Sequence, residues 1–506
     1  MILPALPLLQ LLLLLSAFPA ALGQKDPRPL VDSSKLRRQL TRSALLSHAH
    51  KLSSFAFARG AGGNRGFGGP GHNATINYVH DLVAATGAYD VYLQPFAERY
   101  AAANGSFAVD GEDVLFYPSR GSPRARGMKA LLAQVRGEGC TADDYPPDVE
   151  GKIVLFMRGN CTVTQKSNLA FQAGAVGCII YNSVPGTVLD GRLLSVPNIV
   201  PTGAISLSDG LELIEQLAAG EKLVGELDID SFAEDRVSYN VIAQTKSGDP
   251  NKVVVVGAHS DSVPLGPGIN DNGSGTIGIL ELLLKLKDFK LKNAVRFCWF
   301  SAEEFGLLGA HRYVENLTPE ENLKIAMYIN SDMIGSPNYV LSVYDGDGSA
   351  FNLSGPAGSA EIEDTLTSYF TSVGRPSVPT AFTGRSDYGP FLTANIPSGG
   401  LFTGAEGIKT REEAALFGGK AGEPYDANYH QPGDTVRNLD LGALVENTKA
   451  IAWLVAKYGR SLEGFPRRTL PRERDRWAAA EWTEGTHGKF ASHDHAAEGG
   501  CGDGLY

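Results

Sequence analysis

Apolar and polar positions alternate on two length scales in the second half of the chain. Short, predominantly apolar runs predict buried strands at 253–256, 294–300 and 325–331, and the segment 398–403 is predicted to form a further strand. Longer segments whose apolar residues recur with helical spacing predict helices at 276–287, 305–316, 361–373 and 441–458. Buried strands that alternate with helices are typical of an α/β domain. For residues 236–462 we therefore predict a mixed, largely parallel central sheet flanked by helices.

The part of the chain before residue 236 divides into two regions. Residues 24–114 begin with a predicted helix at 35–57, and we assign this region to the N-terminal part of the same α/β domain. Residues 115–235 carry short apolar runs at 152–158 and 177–182 with a helical segment between them, and they show no obvious catalytic cluster. We expect this second region to form a β-rich domain inserted into the α/β domain.

The two ends of the chain lack the pattern of a folded domain. Residues 1–23 contain a leucine-rich run and end in small residues, with Ala21 and Gly23 at the −3 and −1 positions of a cleavage site. This arrangement is typical of a secretory signal peptide, and the run is shorter than the roughly 20 residues that a membrane span needs. We predict a secreted protein without a membrane anchor, with a vacuolar or lysosome-like lumen as the alternative. Residues 463–506 lack apolar periodicity and are predicted to be disordered.

Composition narrows the set of partners. The 506 residues carry a net charge of −11, and an acidic surface argues against nucleic acid or an anionic membrane as the main partner. The sequence contains six sequons, which agree with secretion. We predict glycosylation at five of them, Asn73, Asn104, Asn160, Asn316 and Asn352. The sixth, at Asn272, lies in a Gly-rich segment that we expect to be enclosed.

The cysteines agree with an oxidising compartment. Five are present, an odd number, so at least one has no partner within the chain. Cys140 and Cys161 both flank polar loops, and we predict a disulfide between them. Cys178 and Cys298 lie in apolar, strand-like runs and are predicted to be buried thiols.

Ionisable side chains follow three of the predicted strands at the points where those strands end. His259 and Asp261 follow the first strand, Glu303 and Glu304 follow the second, and Asp332 follows the third. In open α/β sheets, functional groups gather at the carboxyl ends of the strands. Carboxylates and imidazoles in such places are costly unless a cation or another partner compensates them. The pattern therefore favours a metal site at this edge of the sheet.

Several of these residues have more than one possible role. Because His259 and Asp261 are two residues apart, they point to the same side of an extended segment. Both are candidate metal ligands, or Asp261 orients the His259 ring from behind. Glu303 and Glu304 are adjacent and project in different directions, so one can bind metal while the other transfers protons. Either glutamate could instead complement the dipole at a helix N-terminus.

Two further candidates come from loops. Asp271 lies in the Gly-rich segment 268–275 and would be an ordinary turn residue if taken by itself. Its closeness in sequence to His259 makes it a candidate ligand. His430 lies in a polar loop without predicted regular structure. By itself it could be any surface histidine, but loops often carry function.

The order of these motifs resembles one enzyme family. The strings GAHSDSV, GINDNGSG, FSAEEFGLLGA, NSDMIG and NYHQPGDT resemble the co-catalytic zinc aminopeptidases, which include aminopeptidase Y-like and secreted fungal leucine aminopeptidases. In the predicted insert, EGKIVLFMRGNCT and KSNLAFQAGAVGCIIYN resemble a protease-associated domain. The resemblance implies a zinc exopeptidase fold. It also implies release of N-terminal, chiefly hydrophobic, residues from peptides that have a free N-terminus.

The resemblance further implies two zinc ions per subunit and a set of ligands. His259 and Asp332 would bind one zinc ion. Glu304 and His430 would bind the other, and Asp271 would bridge the pair.

Other residues receive supporting roles from the same resemblance. Glu303 would act as the general base and Asp261 would orient a histidine ligand. Tyr429 would help to stabilise the tetrahedral intermediate, and Arg385 would contact the substrate.

Other functions on the same fold stay open. A carboxypeptidase or an N-acyl amino acid hydrolase would share the zinc site, and Arg385 could then bind a terminal carboxylate. A cyclase would use a similar site with one zinc ion, and a receptor-like binder would have lost its ligands, whereas all five are present here. A pocket for an apolar side chain could draw on Met333, Ile334, Phe391 or Phe402.

Overall fold

The computed structural model describes residues 26–159, 161–183, 191, 193 and 197–469. The predicted signal peptide at 1–23, the sequon at Asn160 and the part of the predicted disordered tail from 470 onwards lie outside these described residues.

Helices occupy both faces of a large sheet. The α-helices are α1 Ser33–Arg38, α2 Arg42–Ala56, α3 Pro70–Ala85, α4 Val163–Gln172, α5 Leu207–Ala218, α6 Gly273–Leu286, α7 Leu308–Glu315, α8 Pro319–Lys324, α9 Ser359–Ser372, α10 Tyr388–Thr393, α11 Arg411–Phe417 and α12 Leu441–Arg460. Short 3-10 helices are formed by Ala142–Asp144, Pro147–Val149, Glu303–Phe305 and Val436–Asn438. None of the described helices has both the length and the apolar character that crossing a membrane requires.

The strands form a peptidase sheet and an insert sheet. They are β1 Tyr89–Val109, β2 Glu112–Val114, β3 Phe116–Pro118, β4 Ala125–Gln134, β5 Ile153–Met157, β6 Gly177–Tyr181, β7 Thr202–Ile205, β8 Val224–Thr245, β9 Asp249–His259, β10 Asn293–Phe300, β11 Ile325–Ser331, β12 Ser342–Tyr344, β13 Val378–Thr380 and β14 Ser398–Phe402. The peptidase sheet has the order β13-β12-β14-β11-β9-β10-β8. Its centre, β14-β11-β9-β10, is parallel, whereas β8 pairs with β10 in the antiparallel direction. The predicted mixed, largely parallel sheet flanked by helices is confirmed.

Strand β9 shows how the core is divided between the two faces of the sheet. Val254 and Val256 belong to a core that α6 and α12 complete, whereas Val253 and Val255 belong to a second core on the other face, together with Phe391 of α10. Successive strand residues point to opposite faces. A strand that is covered on both faces therefore has apolar residues at successive positions, as in the valine run of β9.

Two helix predictions need correction. The predicted helix at 35–57 is two helices, because Thr41 caps α2 by accepting a hydrogen bond from the amide of Ala44 at 3.3 Å. The predicted helix at 305–316 begins only at Leu308, since Gly306 and Leu307 have left-handed backbone with φ of 107° and 57°. A left-handed residue interrupts an α-helix. The pair Glu303–Glu304 therefore lies in a separate turn of its own.

An antiparallel ribbon joins the insert to the peptidase sheet. Strand β8 pairs with β1 along its whole length. Its first half also pairs with β4 of the insert, and its second half pairs with β10 of the peptidase sheet. In the insert, β4, β5, β6 and β7 are parallel neighbours and β3 is antiparallel to β7. Because β8 runs without interruption across the boundary predicted at 235/236, the exact domain limits stay a prediction.

Cysteines and sequons occupy different environments. Cys140 and Cys161 form the predicted disulfide, and Cys178 and Cys298 are buried free thiols as predicted. The Asn272 side chain is fully buried at the N-cap of α6. The remaining predicted glycosylation sites of the described residues are exposed, namely Asn73, Asn104, Asn316 and Asn352.

Candidate metal centre

Three neighbouring strands deliver acidic and imidazole side chains to one edge of the peptidase sheet. Strands β11, β9 and β10 are parallel neighbours, so their carboxyl ends meet. His259 is the last residue of β9, and Asp332 directly follows β11. Glu303 and Glu304 follow β10 in the 3-10 helix. The structure thus brings together the residues that the sequence places at strand ends.

Two loops complete the cluster. Asp271 lies just before α6, and His430 lies in the loop ahead of the last 3-10 helix, with a left-handed φ of 57°. The carboxylate of Asp434 accepts hydrogen bonds from the amides of Asn270 at 2.8 Å and Asp271 at 3.0 Å. Asp434 is four residues after His430, so this carboxylate holds the two loops against each other.

The five predicted metal ligands form one continuous set of contacts with Asp271 at its centre. His259 Nε2 lies 3.2 Å from Asp271 Oδ1 and 3.4 Å from Asp332 Oδ1. His430 Nε2 lies 3.1 Å from Asp271 Oδ2 and 3.1 Å from Glu304 Oε2. The two oxygens of the Asp271 carboxylate therefore face different histidines, and each histidine has one further carboxylate beside it.

Burial makes this arrangement costly unless a cation is present. Each of the five residues is at most 8% exposed to solvent. Glu304 Oε1 and Asp332 Oδ1 have no hydrogen-bond partner among the described residues, and burial raises the pKa of the Glu304 carboxyl. Buried carboxylates are stable when they are paired or bind metal. Imidazole nitrogens and carboxylate oxygens are ligands that zinc takes, so the residues present fit such an ion.

The histidines lie in strongly acidic surroundings. Burial alone would lower the pKa of His259, but the charges of Asp332 and Glu303 raise it well above its ordinary value. Burial likewise opposes protonation of His430, yet Glu304 and Asp271 raise its pKa to about 10. A proton on each ring or a divalent cation between the side chains offsets the same negative charge.

The adjacent glutamates face different histidines. Glu303 Oε2 lies 3.8 Å from His259 Nε2, whereas Glu304 contacts His430. Burial raises the pKa of the Glu303 carboxyl well above its ordinary value. Asp261 Oδ1 accepts a hydrogen bond from the Glu303 amide at 3.1 Å. The same oxygen lies 3.6 Å from His259 Nδ1, which is an ion-pair contact beyond hydrogen-bond distance.

Tyr429 and Arg385 lie side by side at the rim of the cluster. The Tyr429 ring stacks on His430, with ring centres 3.9 Å apart. Arg385 Nη2 donates a hydrogen bond to the Tyr429 hydroxyl at 3.3 Å. Both guanidinium ends of Arg385 also contact Glu406, at 3.0 and 3.2 Å. This bidentate pair fixes the plane of the guanidinium group.

Glu406 and Ser386 are among the residues around the site that were not predicted from the sequence. Glu406 lies four residues beyond the end of β14, and this position after a strand could have marked it as a candidate site residue. Ser386 donates a hydrogen bond from Oγ to Asp332 Oδ2 at 2.6 Å. Ser386 could have been noted because it follows the candidate residue Arg385, although nothing in the sequence shows that the Ser386 side chain reaches Asp332.

A pocket opens beside the cluster and has one apolar wall. That wall includes Met333, Tyr344, Tyr388 and Phe402. Of the four pocket candidates from the sequence, Met333 and Phe402 therefore line it. Ile334 and Phe391 are fully buried in the two cores instead. Their place in the core follows from α6 and α10, which cover the sheet at these positions.

Comparisons with known proteins agree with this geometry. Residues 240–455 match the model of peptidase family M28, and residues 128–213 match the PA domain. Leucine aminopeptidase 2 of Arthroderma otae is 48% identical over 449 residues, which cover 88% of this chain and 90% of that protein. Probable leucine aminopeptidase 2 of Aspergillus fumigatus is also 48% identical, over 88% of this chain and 89% of that protein.

Solved structures show the same architecture. The aminopeptidase from Aneurinibacillus sp. strain AM-1 matches with a TM-score of 0.65 and 25% identity, covering 87% of this chain and 98% of that chain. A zinc aminopeptidase from Bacillus subtilis matches with a TM-score of 0.63 and 26% identity, covering 85% and 98%. The resemblance inferred from the motifs is confirmed. The chain belongs to peptidase family M28 and is a metallo-aminopeptidase of that family.

Proposed function

We propose that this chain is a secreted aminopeptidase that uses two zinc ions per subunit to release N-terminal, chiefly hydrophobic, residues from peptides with a free N-terminus. His259 and Asp332 would hold one ion, Glu304 and His430 would hold the other, and Asp271 would contribute to both. The observation that carries the proposal is the Asp271 carboxylate, whose oxygens lie 3.2 and 3.1 Å from the two histidines. Zinc is the metal named for the Bacillus subtilis relative, and it suits nitrogen and oxygen ligands.

The residues around the ions divide the chemical work. Zinc supplies a Lewis acid that lowers the pKa of water and polarises a carbonyl oxygen. Glu303, which is not needed as a ligand, removes a proton from the attacking water and returns one to the departing amine. Tyr429 donates its hydroxyl proton toward the oxygen that becomes negative in the transition state. Arg385 orients Tyr429 through the 3.3 Å contact and lies at the edge of the substrate pocket.

The state of Arg385 favours an aminopeptidase over a carboxypeptidase. A carboxypeptidase needs a cation that can bind the terminal carboxylate of its substrate. Arg385 is the one lysine or arginine that lines the pocket in the described part of the chain. Its guanidinium group is already paired with both oxygens of Glu406, which leaves little positive charge for a second carboxylate.

The pocket supports a preference for an apolar side chain at the cleaved residue. Tyr344, Tyr388, Phe402 and Met333 line this wall of the pocket. Burial of an apolar side chain there would stabilise the bound substrate by about 1.5–3 kcal/mol. The leucine in the names of the relatives from Arthroderma otae and Aspergillus fumigatus agrees with this preference.

The decisive experiment compares substrates on one metal-defined sample. Aminoacyl amides with leucine, alanine, lysine and glutamate would be assayed beside N-acetylated peptides, with bound zinc measured by mass spectrometry. We expect release from the free-amine substrates, fastest for leucine, and two zinc ions per chain. A chelator should abolish release and zinc should restore it. Cleavage of the N-acetylated peptides would favour an acyl hydrolase or a carboxypeptidase, and one zinc ion at full activity would refute the two-ion site.

Secretion and glycosylation form a second part of the proposal. They are supported by the leucine-rich segment at 1–23 and by the exposed sequons Asn73, Asn104, Asn316 and Asn352. Expression in a eukaryotic host should place the protein in the medium with a new N-terminus near Gln24. Treatment with a glycosidase should lower its apparent mass. Retention inside the cells in a lysosome-like compartment would favour the alternative location.

A further inference from the structure

In the part of the insert that the structure describes, β3 and the residues directly after it contact the metal-binding edge of the sheet. The Tyr117 hydroxyl donates a hydrogen bond to Gln431 Oε1 at 2.6 Å. Arg120 Nη1 donates a hydrogen bond to the backbone carbonyl of Glu304 at 2.9 Å. Gln431 is the neighbour of His430, so the two contacts reach both loops that carry the proposed ligands of the second zinc ion.

Arg120 is held firmly in the insert. It is 3% exposed, and its guanidinium carbon lies 4.9 Å from the ring centre of Phe305. Its amide donates to the carbonyl of Gly191 at 2.8 Å, and its carbonyl accepts from the amide of Leu193 at 2.7 Å. Main chain and side chain are both fixed, so Arg120 presents its donor to Glu304 in one orientation.

The turn that Arg120 contacts needs support from its surroundings. Glu303–Phe305 lies between Ala302 and Leu307, which both have left-handed backbone, with φ of 59° and 57°. Non-glycine residues in this region store strain that the surrounding structure must hold. Both Glu304 and Arg120 are buried, so loss of the Arg120 donor would leave the Glu304 carbonyl without that hydrogen bond in a water-poor site.

We propose that Arg120 and Tyr117 are positioning residues through which the insert fixes Glu304 and His430 at the second zinc site. This inference rests on the proposed function for the nature of the bound metal. Neither residue lines the substrate pocket, so both act through the loops and not by touching the substrate. The insert is then a structural part of the metal centre and not only a separate domain beside it.

The expected size of the effect follows from how metal sites respond to their supports. Functional side chains need to stay within about 0.5 Å of their productive positions. Loss of an outer partner of a metal ligand typically costs about 10–100-fold in metal affinity or activity. Because Arg120 supports the ligand residue itself and Tyr117 supports only the neighbour of His430, we expect the larger effect at Arg120.

The test uses the full-length protein and four single variants. Arg120→Met keeps an apolar stem over Phe305 but removes the donor, and Arg120→Lys retains a cationic donor. Tyr117→Phe removes only the hydroxyl. Arg124→Met is the matched control, because Arg124 belongs to the same insert and its side chain is 57% exposed. Bound zinc per chain would be measured across a series of buffered free zinc concentrations, together with kcat, KM and the melting temperature.

We expect Arg120→Met to bind one of its two zinc ions at least about tenfold more weakly and to lose kcat, with KM near the wild-type value. Arg120→Lys should recover part of both losses, Tyr117→Phe should show a smaller loss, and Arg124→Met should match the wild type. A purely structural role would lower the melting temperature while zinc affinity and kcat of the folded protein stay unchanged.

Several outcomes overturn the inference. Wild-type zinc affinity and kcat in folded Arg120→Met would do so. If Arg120→Met does not fold, wild-type zinc affinity in Tyr117→Phe has the same consequence. If the wild type binds two zinc ions but releases no N-terminal residue, only the proposed activity is overturned. The zinc affinities of the variants then still test the role of Arg120. A wild type that binds no zinc overturns both.

Discussion

The backbone amide of Glu303 donates a hydrogen bond to Asp261 Oδ1 at 3.1 Å. The same oxygen lies 3.6 Å from His259 Nδ1, and Asp261 is fully buried. One carboxylate thus contacts the turn that carries the proposed general base and a proposed zinc ligand. Asp261 reaches both because it follows the end of β9, directly beside the end of β10.

Replacement of Asp261 by asparagine tests this double contact. Asp261→Asn keeps an oxygen that can accept from the Glu303 amide but removes the negative charge beside His259. We expect a folded protein with kcat lowered about 10–100-fold. KM for an aminoacyl amide should change less, because Asp261 does not line the pocket. Asp364→Asn, on the exposed side of α9, is the control. Unchanged kcat in Asp261→Asn would show that the charge has no role.

A second prediction concerns the pair formed by Arg385 and Glu406. Their side chains are 27% and 13% exposed. Glu406→Gln leaves the Arg385 charge half-buried without its carboxylate, so we expect the free energy of unfolding to fall by about 1–3 kcal/mol after allowance for partial exposure. Because Arg385 also contacts Tyr429, kcat should fall as well. Urea unfolding and steady-state kinetics measure the two effects.

A double-mutant cycle makes the prediction for this pair specific. If Arg385 acts only through Glu406, the combined variant Arg385→Met with Glu406→Leu should be less destabilised than the sum of its single changes. Additive effects would mean that the two side chains act independently and that the bidentate contact contributes little.

The central strands and their chemistry were predictable from sequence because both depend on local patterns. The strand predicted at 325–331 is β11 residue for residue. Six of its seven residues are buried, including the polar Asn330 and Ser331 that follow the apolar positions 325–329. Each such run is followed by its ionisable residues, and parallel strands bring their carboxyl ends together. Asp271 and His430 were candidates from their own loops, but only the resemblance placed them in one metal site, since nothing in those loops indicates that they meet.

The remaining features depend on contacts between distant residues. Glu406 gains its role from Arg385, and Arg120 gains its role from the carbonyl of Glu304, 184 residues away. No periodicity reports such pairs. The length of β8, 22 residues, was also missed. The middle of β8 is exposed and carries polar residues. There β8 pairs with β1 but lies away from the cores of the peptidase domain and of the insert.

A third prediction concerns the two buried thiols. Burial raises the pKa of Cys178 and of Cys298 to about 12. Since the thiolate is the reactive form, both should resist alkylation from pH 7 to pH 9 in the folded protein and react after denaturation. The test counts reacted thiols in a Cys501→Ser variant, so that the cysteine in the C-terminal segment does not contribute. Rapid labelling of either thiol in the folded state at pH 8 would contradict the burial.

The last prediction separates the proposed general base from its neighbour. Glu303→Gln keeps the shape of the side chain and removes its ability to take a proton, whereas the contacts of Glu304 with His430 and of Asp271 with both histidines do not involve it. We therefore expect zinc content to stay at the wild-type value while kcat falls about 10²–10⁴-fold. Glu304→Gln should instead lose zinc, because it weakens a ligand. Glu320→Gln, an exposed glutamate in α8, controls for loss of charge alone. Steady-state kinetics with metal analysis on the same samples distinguish the three, and a Glu303→Gln protein with normal turnover would assign the proton transfer to another residue.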